Sequence, residues 1–151
     1  MRRLFVGGCM LGLLFLVNGC STFNRDWKRA ANAQPIESRD PNDAILGRWE
    51  GTWKSDVNGH TDRLRCLVTR QDAGFRARFH ANYKKIFTFT YAVPLRVEQR
   101  NGQSHFSGEA NLGWYAGGRY QYEGSASPTN FTATYRCKSD HGIFQMTRPR
   151  S

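Results

Sequence analysis

From Gly47 onward the chain alternates. The stretch "GRWEGTWKS" (Gly47–Ser55) puts Trp49, Gly51 and Trp53 on one side and Arg48, Glu50, Thr52 and Lys54 on the other. That is the two-residue period of a half-buried strand. Seven more stretches follow: "TDRLRCLVTR", "FRARFHANY", "IFTFTYAVPLRVEQ", "SHFSGEANLG", "RYQYEGSAS", "FTATYRCKS" and "IFQMTR". Short turn signals separate them. Asn58-Gly59, Asn101-Gly102 and Asp140-His141-Gly142 supply residues that accept positive φ, which hairpins require. The pattern predicts an all-β domain, an eight-stranded antiparallel up-and-down meander. Such a meander leaves two unpaired edges unless it closes, so a barrel is expected. Pro94 lies within the long fourth stretch and predicts a bulge or bend there.

With Trp49 facing inward, the faces of the remaining strands follow. Leu64, Cys66 and Val68 join it, as do Phe75, Ala77, Phe79 and Ala81, and then Phe87, Phe89, Tyr91 and Val93. The later strands add Phe106, Tyr120, Tyr122, Phe131, Tyr135, Cys137, Phe144 and Met146, with Gly and Ala between them. An eight-stranded barrel is just filled by its side chains or holds one small ligand. The many aromatics argue for filling. The small residues between them argue for space, so both readings stand at this point.

Ahead of the strands the texture differs. Arg2 and Arg3 precede a 14-residue apolar run, Leu4–Val17, with the layout of an export signal. The run ends in "LVNGC" (Leu16–Cys20), which resembles the lipobox of bacterial lipoproteins, with Asn18 departing from the usual small or apolar residue. The resemblance implies a signal peptide over residues 1–19, lipidation of Cys20, and anchoring to a membrane of the cell envelope. Ser21 follows in place of the Asp that retains enterobacterial lipoproteins at the inner membrane, so the outer membrane is favoured where the cell has one. Residues 20–45 are expected to form a tether, and 46–151 the barrel. Within the tether, "DWKRAANA" could make two helical turns capped by Asp26, or be a solvated spacer.

A Gly-x-Trp (Gly47-Arg48-Trp49) opening an eight-strand meander is similar to the calycin group, the lipocalin- and avidin-like barrels. The similarity is one of architecture and implies no particular binding residue. Cys9 falls within the signal and Cys20 is the lipidation site, so Cys66 and Cys137 remain. In an oxidising compartment they suggest a disulfide; otherwise they are buried thiols.

Composition adds charge. There are 22 Lys and Arg against 12 Asp and Glu, and removing Arg2 and Arg3 lowers the formal charge from +10 to +8. An exported chain meets lipid head groups or anionic envelope polymers rather than nucleic acid. Arg63, Arg65, Arg76 and Arg78 fall on the outer face of one hairpin, a basic stripe that an anionic partner could neutralise; the alternative is an ordinary solvated wall. Meander topology gathers the odd-numbered turns at one end. That rim holds His60, Asp62, Lys84, Lys85, Trp114, Tyr115, Asp140 and His141, and it is expected to lie away from the tether. Trp114 and Tyr115 would anchor a ligand or partner, or fold back over the barrel end. Two imidazoles and a carboxylate can hold a metal, but no spacing here demands one, and no metal or other cofactor is expected. No Gly-x-Ser-x-Gly, His-Glu-x-x-His or phosphate loop is present. The expectation is a non-catalytic envelope protein that binds a small apolar or amphipathic ligand, or an anionic envelope component. The alternative is a protein-interaction or inhibitor module with a packed barrel.

Overall fold

The computed structural model describes residues 14–33 and 40–150, and the side chains from Thr22 onward. The signal-peptide reading of residues 1–13 and the modification expected on the Cys20 side chain therefore lie outside the described residues. The strands are β1 (Gly47–Ser55), β2 (Thr61–Gln71), β3 (Gly74–Tyr83), β4 (Phe87–Arg100), β5 (Gln103–Asn111), β6 (Arg119–Ala126), β7 (Asn130–Arg136) and β8 (His141–Thr147). Each pairs antiparallel with the next, and β8 returns to β1, closing an eight-stranded up-and-down barrel. Closure leaves no exposed sheet edge at the β1–β8 seam. It relies on Gly51 and Gly142. A Cβ at Gly51 would lie 2.0 Å from the Gln145 carbonyl oxygen, and one at Gly142 would lie 1.9 Å from that of Lys54.

Pro94 makes no bulge. Val93 and Leu95 both face inward and are buried, with Pro94 between them facing out. The reason is a handover of partners. Through Leu95, β4 pairs with β3; from Leu95 to Arg100 it pairs with β5. A proline where one ladder gives way to the other sacrifices little hydrogen bonding.

The interior is filled. Phe79 is packed by Tyr91 (5.4 Å between ring centres), Tyr122 (6.0 Å) and Phe144 (5.3 Å), and Tyr135 continues the stack at 5.2 Å from Phe144. Phe131 bridges Trp49 and Phe106 below them. Burial drives the Tyr91, Tyr122 and Tyr135 hydroxyls well above the usual tyrosine range, so they are neutral. The end where β1 begins is closed by a 3-10 turn, Pro41–Ile45, capped by the Asp40 carboxylate, which accepts from Asn42 N–H (2.9 Å). There Trp49 Nε1 donates to the Ile45 carbonyl (2.8 Å). Arg148 lies 3.6 Å above the Trp49 ring and donates to the carbonyls of Ala44, Leu46, Arg48 and Pro128. Trp49 is thus a plug at this end.

Cys66 and Cys137 are both free thiols, which corrects the suggested disulfide. Cys66 sits opposite Trp49, whereas Cys137 lies past the end of β7, near the Ser55–Gly142 pair. Ser55 is six residues beyond Trp49, roughly 20 Å along the strand, and a disulfide needs Cα atoms within about 7 Å.

The larger departure is a helix, α1 (Leu14–Ala31), whose C-terminal half packs on the outside of the barrel. Phe23 is fully buried and Trp27 nearly so, both against Leu67 of β2. Leu67 is the one apolar residue on the outward face of β2, between Arg65 and Thr69. Phe23 and Trp27 are one helical turn apart and so share a face. The solvated-spacer reading therefore fails for residues 22–31, because this face has an apolar residue and several guanidinium groups to cover.

Candidate functional site

The basic stripe is the landing site of α1. Arg65 lies 5.4 Å from the Phe23 ring centre and 5.3 Å from that of Trp27, and Arg78 lies 5.7 Å from Phe23. Arg78 also pairs with Asp26 at 2.8 Å, and Arg65 donates to Asn24 Oδ1 at 3.1 Å. The Arg78 guanidinium beside Asp26 holds that carboxyl below its usual range. His80 of β3 stacks on Phe23 (4.9 Å, 13° between planes), and its Nδ1 is 2.8 Å from Thr90 Oγ1. Arg63 is neutralised by Glu50 (3.3 Å). Arg76 remains exposed and lines a groove of about 900 Å3 beneath the end of α1. Three of the six arginines around that groove are committed within the chain: Arg70 to Asp40 and Asp43, Arg78 to Asp26, Arg148 to backbone carbonyls. Within the stripe, Glu50 and Asp26 balance Arg63 and Arg78 from inside the chain, while Arg65 meets Asn24 and the aromatic rings of α1.

The other end of the barrel is different. Among the described residues, every exposed large apolar side chain lies there: Val57, Ile86 (78% exposed), Phe87 (57%), Phe89 (47%), Trp114 (93%) and Tyr115 (74%). Phe87 and Phe89, expected in the interior, are the correction that matters most. They sit on the first half of β4, which pairs with β3 alone, while the last residues of β5 (Glu109–Asn111) pair with β6 alone. Above Leu95 and Gly108 the two strands part. The result is a slot at the rim, with Phe87 and Phe89 on the β4 side and the Trp114–Tyr115 loop following the β5 side. The next residue of that face of β4, Tyr91, is half-buried and packs on Phe79 and Tyr122. Gly108 fixes where the slot begins, because a Cβ there would meet the Pro94 carbonyl oxygen at 2.6 Å.

The β3–β4 turn beside this slot carries Lys84 at φ +51° and Lys85 at φ +60°. Left-handed backbone costs a residue with a side chain roughly 1 kcal/mol or more relative to glycine. The chain uses Asn-Gly for the comparable turn at 101–102, with both residues at positive φ. Here it keeps two lysines. The neighbouring turn clamps them: Lys84 N–H donates to His60 Nε2 (3.5 Å) and Lys85 N–H to Asp62 Oδ2 (3.1 Å). His60 lies between Trp53 (5.1 Å) and Tyr83 (4.9 Å). Hydrogen bonds from the Arg63 and Lys85 amides outweigh the effect of burial and hold the Asp62 carboxyl below its usual range.

Of the predicted rim residues, His60, Lys84 and Lys85 therefore form one unit. Trp114 and Tyr115 are in a short 3-10 turn (Trp114–Ala116), edge to face with each other at 6.2 Å and projecting outward rather than folding back. His141 is exposed, and its backbone carbonyl accepts from Asp56 N–H (2.9 Å). Asp140 is taken up by Ser55 Oγ (2.6 Å) and the Tyr135 hydroxyl (3.1 Å). Among the described residues no three His, Cys, Asp or Glu side chains gather as a metal site would require. Alternation alone could not reveal the slot, because Phe87 and Phe89 have the correct parity for the interior; strand stagger exposes them.

Compared with known proteins, the chain matches no family, no curated protein and no solved structure. No described helix is long and apolar enough to cross a membrane.

Proposed function

We propose that this chain is a cell-envelope lipoprotein, anchored through Cys20, whose barrel has a non-catalytic binding role at the rim. The ligand is amphipathic. Its apolar part lies across Phe87 and Phe89 at the slot, and its anionic head meets Lys84 and Lys85. The observation that carries this reading is the segregation of exposed apolar side chains to one end of the barrel beside two lysines held in left-handed backbone. Scattered exposed apolar residues mean little, whereas a gathered patch marks a binding surface. The filled interior argues against a lipocalin-like calyx, so the ligand is held at the mouth. It also keeps the second reading, a packed protein-interaction module, in play.

Trp114 supplies the assay. Trp27 and Trp49 are buried and Trp53 is half-buried, so changes at the rim report through Trp114. Dodecyl phosphate should shift its emission to the blue, and Trp114→Phe should remove that response. Absence of a shift, together with a protein partner retained in native mass spectrometry, would favour the interaction module instead. Replacing Cys20 by Ala should release the chain from membranes; continued retention would count against lipidation.

A further inference from the structure

We infer that the rim docks onto the surface of the membrane that anchors the chain, with the barrel standing slot-down on an anionic bilayer. This rests on the rim reading above and names its ligand as bilayer phospholipid. The new observation is the direction of α1. Near its C-terminus, Ala33 and Ala30 line the groove with Thr69 and Arg70, beside the β2–β3 turn. Trp27 lies midway, on Arg48 and Leu67. Phe23 lies higher, on His80. The helix therefore runs up the wall toward the rim as it is followed backward, and it also meets β4. The chain enters β1 at the far end, but α1 doubles back, and the attachment point and the rim come to the same end of the molecule. This reverses the expectation of a rim distal to the tether.

Distances make the arrangement feasible. His80 precedes Lys84 by four strand residues, about 13 Å. Residue 20 precedes Phe23 by three helical residues, about 4.5 Å. A lipid on residue 20 thus starts roughly 9 Å short of the Lys84–Lys85 turn, less than the ~15 Å hydrocarbon depth of one leaflet. When the acyl chains are inserted, Ile86, Phe87 and Trp114 are brought to the interface, where aromatic rings and snorkelling lysines are stable. The docked helix also replaces a flexible reach by a short link, so the rim faces the bilayer at high effective concentration.

The left-handed lysines fit this role. A turn selected for stability would carry Asn-Gly, as at 101–102. Displaying Lys-Lys-Ile-Phe at the tip in a strained backbone sets local stability against a cationic, apolar edge for an anionic surface.

The test uses full-length protein purified from membranes and reconstituted into phosphatidylethanolamine–phosphatidylglycerol vesicles containing brominated acyl chains. Bromine should quench a tryptophan component that Trp114→Phe removes. The double substitution Lys84→Asn, Lys85→Gly should raise the thermal midpoint of the barrel while reducing the docked-to-undocked ratio roughly 30-fold, from about 1 kcal/mol per lysine at an anionic surface. Two outcomes would overturn the inference: Trp114 on vesicles as accessible to a water-soluble quencher as a tryptophan free in buffer, or Asn-Gly docking as well as the wild type. If dodecyl phosphate still shifts Trp114 while bromine does not quench it, the rim reading survives and the membrane orientation falls. If neither happens, both fall.

Discussion

Phe23→Ala tests whether α1 is part of the folded structure. Phe23 is fully buried between Trp27 at 5.7 Å and His80 at 4.9 Å, under the guanidinium groups of Arg65 and Arg78. Transfer of a phenylalanine side chain from water accounts for about 1.5–3 kcal/mol. Ring stacking adds about 0.5–1.5 kcal/mol, and each cation–π contact about 0.5–1 kcal/mol. Truncation to Ala should therefore remove about 3 kcal/mol or more of docking free energy. The part of α1 from residue 20 to Ala31, which the lipoprotein reading leaves after cleavage, is about twelve residues and marginal in water by itself, so undocking and unwinding coincide. The barrel has its own core and remains folded. Hydrogen exchange on the full chain in detergent is the assay. Amides of residues 22–31 should lose protection, Trp27 should become accessible to acrylamide, and the near-ultraviolet dichroism of the barrel aromatics should persist. Unchanged protection over 22–31 would refute the docking argument. Cooperative loss of the whole barrel would refute the claim that the two are separable. A double-mutant cycle with Arg78→Ala should show coupling, since both residues meet across one contact.

Acid should loosen the same contact. Burial, then Arg65 and Arg63, hold the His80 imidazole below its ordinary value of 6.5, so it is neutral when α1 is docked. Once freed, it takes a proton near that ordinary value. Docking strength is thus full above about pH 6.5 and declines as the pH falls toward the folded value, followed by loss of the Asp26–Arg78 pair at lower pH; Trp27 quenching across a pH titration checks this, and His80→Phe should abolish the first step. Arg148→Ala should destabilise the barrel by about 3 kcal/mol, because four backbone carbonyls and the Trp49 face lose a partner in a region where burial already pushes the guanidinium down to about 10; chemical denaturation measures it. Gly51→Ala should cost about 3 kcal/mol or prevent closure, since its Cβ would enter the β8 backbone, read as a lowered thermal midpoint. Thiol labelling of the folded protein should modify Cys137 and spare buried Cys66. Partial burial works to raise the Cys137 thiol, but hydrogen bonds from the Tyr120 hydroxyl and from Ser139 outweigh it and hold it below its ordinary value; equal labelling of both would contradict the barrel interior described.

What the chain determined by itself is the set of strands and their inward parity. A two-residue period and the turn residues Asn58-Gly59 and Asn101-Gly102 are local properties, and β1 begins and ends where "GRWEGTWKS" does. Charge segregation was equally legible, because the alternation on each strand puts Arg63, Arg65, Arg76 and Arg78 on one outward face. What lay against them was not, since a contact between Phe23 and His80 depends on how the 56 intervening residues fold. Leu67 was the available signal: a lone apolar residue on an otherwise basic face, a residue that strand parity alone assigns to solvent. Tertiary structure also decided the fate of Phe87 and Phe89. Parity points a side chain toward the axis, but only the stagger of β4 against β5 determines whether a wall stands opposite it. The same stagger made Pro94 harmless and opened the slot beside the two strained lysines.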